Sequence, residues 1–166
     1  MSQSPQPMNL RRSVIDSLVP YFRDDPRYVL LAGDMGFGAI DALQQAFPRR
    51  VINCGIMEPG ATGIAAGLSM TGLVPIVYTM VNFLAFRCLE QIRNDVLHQR
   101  LNVKFLGTGA NDYFKCLGTS HCCGEDDVRI FNVIGLTVFD PYRDPAPFAT
   151  TLRRWLLDER AGYLRV

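Results

Sequence analysis

The 166-residue sequence predicts an α/β fold: a parallel sheet of about six strands with helices on both faces. Two observations predict it. Short apolar runs alternate with helix-like segments about six times along the chain. The apolar runs are also continuous rather than alternately polar and apolar, as strands covered on both faces must be.

The elements follow in order. The stretch MSQSPQPMN, residues 1–9, is polar, contains proline and lacks the apolar centre of a secretory signal, so it reads as a short disordered lead-in. LRRSVIDSLVPYF (Leu10–Phe22) has helical periodicity, and YVLLAG (Tyr28–Gly33) is a short apolar strand closed by glycine. AIDALQQAF (Ala39–Phe47) is helical and RVINCG (Arg50–Gly55) a strand. GATGIAAGLSMTG (Gly60–Gly72) is a helix of small residues stopped by Gly72, followed by the strand VPIVYT (Val74–Thr79). LAFRCLEQIRNDVLHQRL (Leu84–Leu101) is a longer amphipathic helix, and NVKFLGT (Asn102–Thr108) a strand. A polar loop covers Gly109–Asp126. DVRIFNVI (Asp127–Ile134) is a helix and LTVFD (Leu136–Asp140) a strand. PAPFATTLRRWLLDE (Pro145–Glu159) is a helix with proline near its start, and GYLRV (Gly162–Val166) is the last strand. No internal repeat or low-complexity linker interrupts this order, so residues 10–166 read as one domain.

Composition narrows the function. The net charge is +1 with both signs mixed, which gives no reason to expect nucleic acid or an anionic membrane as partner. The five cysteines are odd in number with no secretory signal before them, so reduced thiols in a cytoplasm are expected. From Pro59 to Phe86 no residue is charged, a run of 28. It is not a membrane helix. Gly72 and Pro75 break it, and each half is too short to span.

In a parallel sheet ligands bind beyond the carboxyl ends of the strands, and three loops qualify: GDMGFG, GIMEPG and TMVNF. Glu58, in the second, stands where the next helix begins, with Pro59 suited to the first turn. A carboxylate there can cap the helix, or it can exchange a proton with a ligand nitrogen. Burial among apolar neighbours raises a carboxylate's pKa toward the range useful for such exchange. Gly60, Gly63 and Gly67 share one helix face, at a cost of roughly 1 kcal/mol each relative to alanine, which suggests a close-packed backbone, in this domain or in a second subunit. Phe83 and Phe86 follow the third strand, where aromatic rings either fill the core or stack on a flat ligand. His121 lies in a polar, glycine-flanked loop. His121, Cys122 and Cys123 are consecutive, which is poor spacing for zinc, and no metal site is assigned. Neither GxGxxG at its proper spacing nor a P-loop is present.

The combination EPGATGIAAGLSMTGLVPIVYT, then NFLAFRCLEQIRNDVLHQRLNVKFLGTG, then GTSHCCGED resembles the pyrimidine-binding domain of the transketolase group of thiamine diphosphate enzymes, over about Leu30 to Asp144. The resemblance implies that Glu58 bonds N1′ of the cofactor's aminopyrimidine, favouring the imino tautomer that takes the thiazolium C2 proton. It implies that Phe83 and Phe86 form the pyrimidine pocket, with Phe83 the stacking ring, that His121 faces substrate, and that Asp34 lies near the cofactor. Here Met57-Glu58-Pro59 replaces the family's usual polar trio, and two cysteines follow the histidine, so the substrates are not fixed. GDMG is not followed by the asparagine pair of a magnesium site. The Mg2+ ligands are therefore expected on a separate diphosphate-binding subunit carrying GDG…NN, in an α2β2 assembly. The implied function is the pyrimidine-binding subunit of a split transketolase, making and breaking C–C bonds next to a carbonyl. A split 2-keto acid decarboxylase and a non-catalytic scaffolding subunit are the alternatives.

Overall fold

In a computed structural model, residues 10–166 are described; the expected lead-in at 1–9 lies outside them. The six strands are β1 (Tyr28–Ala32), β2 (Val51–Asn53), β3 (Val74–Met80), β4 (Lys104–Thr108), β5 (Thr137–Phe139) and β6 (Gly162–Arg165). They form one sheet in the order β2-β1-β3-β4-β6-β5. Every pairing is parallel. The α/β expectation and its strand positions are met.

The sheet buries both faces because successive side chains point to opposite sides. On β1, Leu30 and Ala32 join a core with Leu18 and Phe22 of helix α1 (Leu10–Asp24) and Leu152 and Trp155 of α7 (Phe148–Leu157). Val29 and Leu31 point the other way, to a core with Ala65 and Ala66 of α3 (Glu58–Met70) and Leu84 and Ala85 of α4 (Val81–Arg87). Helix α2 (Asp41–Ala46) contributes Leu43 to the first core, and α6 (Asp126–Ile134) contributes Phe131 to the second. Close approach fixes Gly107 on β4: a Cβ there would lie 2.6 Å from the Tyr163 ring.

One expected element differs. The long helix over Leu84–Leu101 starts earlier, at Val81, and breaks at Cys88. A short α5 (Leu89–Gln91) follows, then a π-helical turn over Ile92–Leu97. The cause is legible in the spacing. Leu84, Cys88, Ile92 and Val96 are all fully buried and lie four apart. In a regular α-helix each such step overshoots one turn by about 40°. The break and the wider π turn take up that drift and keep the four residues on the sheet.

Candidate active site

The strand order places a topological switch between β1, from which the chain first moves to β2, and β3 on the other side. In open α/β sheets the crevice at such a switch, at the carboxyl ends, is where ligands bind. Asp34, Glu58 and Phe83 come from the three segments that leave β1, β2 and β3 at that edge.

Glu58 is the first residue of α3 and is only 3% exposed. Its carboxylate does not cap its own helix. Both oxygens instead accept from Arg87 Nη1, at 3.0 Å each. The Arg87 side chain is 42% exposed and closes over the carboxylate from the solvent side. Its guanidinium carbon lies 3.7 Å from the centre of the Phe83 ring, a close cation–π contact. Phe83 in turn meets the His121 ring edge-on, with centroids 5.3 Å apart. Ser120 Oγ is 3.0 Å from His121 Nδ1, and Asn82 Nδ2 donates to the Ser120 carbonyl. The structure thus brings Glu58, Phe83 and His121 into one run of contacts, through Arg87.

Asp34 is held beside this run. It has φ 48°, in the left-handed region that aspartate tolerates better than most residues, and accepts from Asn53 Nδ2 at 2.9 Å. Asn53 also accepts from the Gly55 N–H, so Asp34 is tied to the loop that leads into Glu58. Phe86 is placed differently. It is 56% exposed and lines a surface depression with Arg87, Leu89, Glu90 and Ile134.

The thiols near the site are not activated. Burial pushes Cys88 up to about 12, with the Glu58 charge adding to it. Burial also pushes Cys123 up to about 11, aided by Asp127. All five cysteines are free. Among the described residues no group of three or more His, Cys, Asp or Glu is placed to hold a metal ion, and no helix is long and apolar enough to cross a membrane.

The family described as "Transketolase, pyrimidine binding domain" matches residues 6–165 of this sequence. The chain belongs to the transketolase pyrimidine-binding domain family. It is 30% identical over 158 residues to the 6-deoxy-6-sulfo-D-fructose transketolase subunit SqwH of Clostridium sp. (strain MSTE9), covering 95% of this chain and 49% of that one. It is 32% identical over 132 residues to an apulose-4-phosphate transketolase subunit of Phocaeicola vulgatus, covering 79% and 42%. Among solved structures it matches a split-gene transketolase described as an inactive beta4 tetramer, with a TM-score of 0.76, 32% identity, and coverage of 93% and 50%. The chain spans about half the length of the curated relatives it matches. It is a transketolase-like pyrimidine-domain chain, and membership of this family implies thiamine diphosphate as cofactor.

The residues of this transketolase domain fit the pyrimidine half of that cofactor. An aminopyrimidine is a flat ring that needs an aromatic face and a carboxylate at its edge. Here a flat N–H donor, the Arg87 guanidinium, already satisfies both demands at once, on Phe83 and against Glu58. Buried polar atoms without protein partners also gather at this edge: Thr79 Oγ1 at the end of β3 and Asn82 Oδ1 in the first turn of α4.

Two groups of residues at the site escape sequence reading. Arg87 is one. The second is the cluster that anchors the His121 loop: Arg165 on β6 and Asp127 on α6, both buried and paired at 3.0 Å. The signal for the second was a lone arginine inside an otherwise apolar strand, GYLRV, which needs a buried partner.

Proposed function

We propose that this chain is the pyrimidine-holding half of a split, thiamine diphosphate-dependent transketolase, with residues 10–166 acting as one binding unit. Its single strongest support is the buried Glu58 carboxylate, held beside the Phe83 face with a flat donor between them. When bound, thiamine diphosphate supplies the electron sink for breaking and making a C–C bond next to a carbonyl.

The chain's own residues have distinct tasks. Glu58 bonds the ring nitrogen N1′ and holds or releases the proton there. Its seat at 3% exposure keeps water from competing for that bond. Phe83 fixes the plane of the ring. The uncharged helix and strand behind Glu58, Pro59 to Met80, supply a dry wall. His121, edge-on to Phe83, faces the substrate side and serves as a hydrogen-bond or proton partner for the donor's oxygen atoms. Asp34 orders the edge of the site through Asn53. Phe86 completes the pocket wall once a second subunit covers it.

The diphosphate and its Mg2+ fall to a separate subunit carrying GDG…NN, in a cytoplasmic α2β2 assembly. Met57 folds over Gly60, but the rest of the glycine face of α3 is open to receive it: nothing among the described residues lies within 4 Å of a Cβ placed on Gly63 or Gly67. The substrates are a ketose or 2-keto acid donor and an aldehyde acceptor.

The test uses the chain co-expressed with a neighbouring gene product that carries GDG…NN. Glu58→Gln in the reconstituted complex is expected to abolish hydrogen–deuterium exchange at C2 of the bound cofactor while the circular dichroism spectrum and cooperative melt stay intact. Near-normal exchange would remove Glu58 from this role.

A further inference from the structure

Arg87 does more than neutralise a buried charge, because it holds both contacts that a ring ligand needs. Its Nη1 sits 3.0 Å from each Glu58 oxygen, so both oxygens already accept from it on the side it approaches. Its guanidinium carbon is 3.7 Å from the Phe83 centroid, which is stacking distance, so that ring face is taken too. Two flat groups cannot both lie at stacking distance on one face of Phe83. We infer that Arg87 is a built-in plug that competes with the cofactor's aminopyrimidine, and that binding requires this side chain to swing outward. The inference rests on the reading of Glu58 and Phe83 as the pyrimidine pocket.

The structure gives the plug an exit. Glu58 is 3% exposed but the Arg87 side chain is 42% exposed, so the guanidinium already borders solvent. Arg87 is the last residue of α4, and the chain bends immediately after it at Cys88. Arg87 already borders the surface depression it shares with Phe86, Glu90 and Ile134, so its side chain has open space beside it and a second carboxylate, Glu90, three residues along. The outward side chain therefore trades one acidic partner for another, while leaving the Phe83 face.

Population arithmetic gives the consequence. Only the fraction of molecules with Arg87 turned out can bind, and the apparent affinity falls by that fraction. Net of the exchange of Glu58 for the more exposed Glu90, the better-buried ion pair and the cation–π contact together favour the inward form by about tenfold.

The experiment titrates the full 166-residue chain with the pyrimidine fragment 4-amino-5-hydroxymethyl-2-methylpyrimidine, followed by calorimetry and by NMR of arginine side-chain N–H signals. Arg87→Met is expected to bind the fragment about tenfold more tightly than the wild type. Arg87→Lys keeps the charge but cannot stack as a flat fork, and is expected to show a smaller gain. In the wild type, the Arg87 signal, assigned by its loss in the variants, is expected to move to a solvent-averaged position as the fragment saturates. Unchanged or weaker binding by Arg87→Met overturns the plug, as does a wild-type Arg87 signal that stays put at saturation. Should Arg87→Met not fold, the same outcome in Arg87→Lys overturns it. Because Glu58 also holds Arg87, the two layers are separated by Glu58→Gln made in the Arg87→Met background. Weaker binding in the double variant than in Arg87→Met, without a gain in the Arg87 single variants, discards the plug and keeps the pocket; binding equal to that of Arg87→Met discards both.

Discussion

Replacing Arg165 with methionine keeps an unbranched apolar stem but is shorter, and it removes the charge and every donor. Arg165 is 1% exposed, and its guanidinium serves four acceptors. Nε donates to Asp127 Oδ2 at 3.0 Å, and Nη1 to Asp140 Oδ2 at 2.9 Å and Asn111 Oδ1 at 3.2 Å. Nη2 donates to the Gly124 carbonyl at 3.2 Å. Asn111 and Gly124 lie on either side of His121, so one buried cation ties both ends of the loop to the sheet. Breaking a buried pair by removing one partner costs about 3–5 kcal/mol. The middle of that range, about 4 kcal/mol, applies here, because Tyr163 still donates to Asp127 at 2.7 Å and Asp140 keeps the Tyr142 N–H at 2.9 Å. For a chain of this size the melting temperature falls by roughly 2–4 °C per kcal/mol, hence by about 8–16 °C. Urea unfolding followed by circular dichroism measures the loss, and amide hydrogen exchange reports the loop. Exchange over residues 111–124 is expected to accelerate well beyond that of β1 and β3. Adding Asp127→Leu to Arg165→Met removes an uncompensated carboxylate and is expected to recover part of the loss. A loss below about 1 kcal/mol for Arg165→Met would refute the reasoning, since that is the range of a solvated surface pair.

Two further outcomes test the site and the fold. His121→Ala is expected to slow donor cleavage by about a hundredfold while leaving cofactor affinity within about twofold, measured by single-turnover kinetics and by titration; a variant that weakens only subunit assembly makes His121 structural. Lys104, fully buried at the start of β4, donates to the carbonyls of Asp158 and Arg160, and burial lowers its ammonium to about 8. The unfolded chain keeps the lysine proton to a higher pH, so between pH 8 and 10 the unfolded state binds more protons and this site's contribution to stability rises with pH. The gain is at most about 1.4 kcal/mol per pH unit. Urea midpoints of wild type against Lys104→Met should move in the wild type's favour across that window; a flat or falling difference contradicts it.

The strands were readable because a parallel sheet demands continuous apolar runs, and Tyr28–Ala32 and Val74–Met80 are buried along their whole length. The π turn at Ile92–Leu97 was hidden because periodicity reports a face, and a face can be kept by more than one backbone geometry. His121 was readable as a loop residue, but its anchor was not. Arg165 and Asp127 lie 38 residues apart, and the parallel pairings of β6 with β4 and β5 bring them together. Arg87 was the nearest miss. The uncharged run from Pro59 to Phe86 ends at Arg87 as it begins at Glu58, which leaves 28 residues between two opposite charges. Simple lengths bring them together. Helix α3 has 13 residues and spans about 20 Å, while β3 has 7 and spans about 23 Å. The helix carries the chain away from the carboxyl edge of the sheet, and the strand returns it by the same distance. The residue that opens α3 and the turn of helix that follows β3 must therefore face each other across that edge. Two charges that bracket a matched helix and strand are thus predicted neighbours, and in this chain the pair they form encloses the one ring, Phe83, on which the proposed chemistry depends.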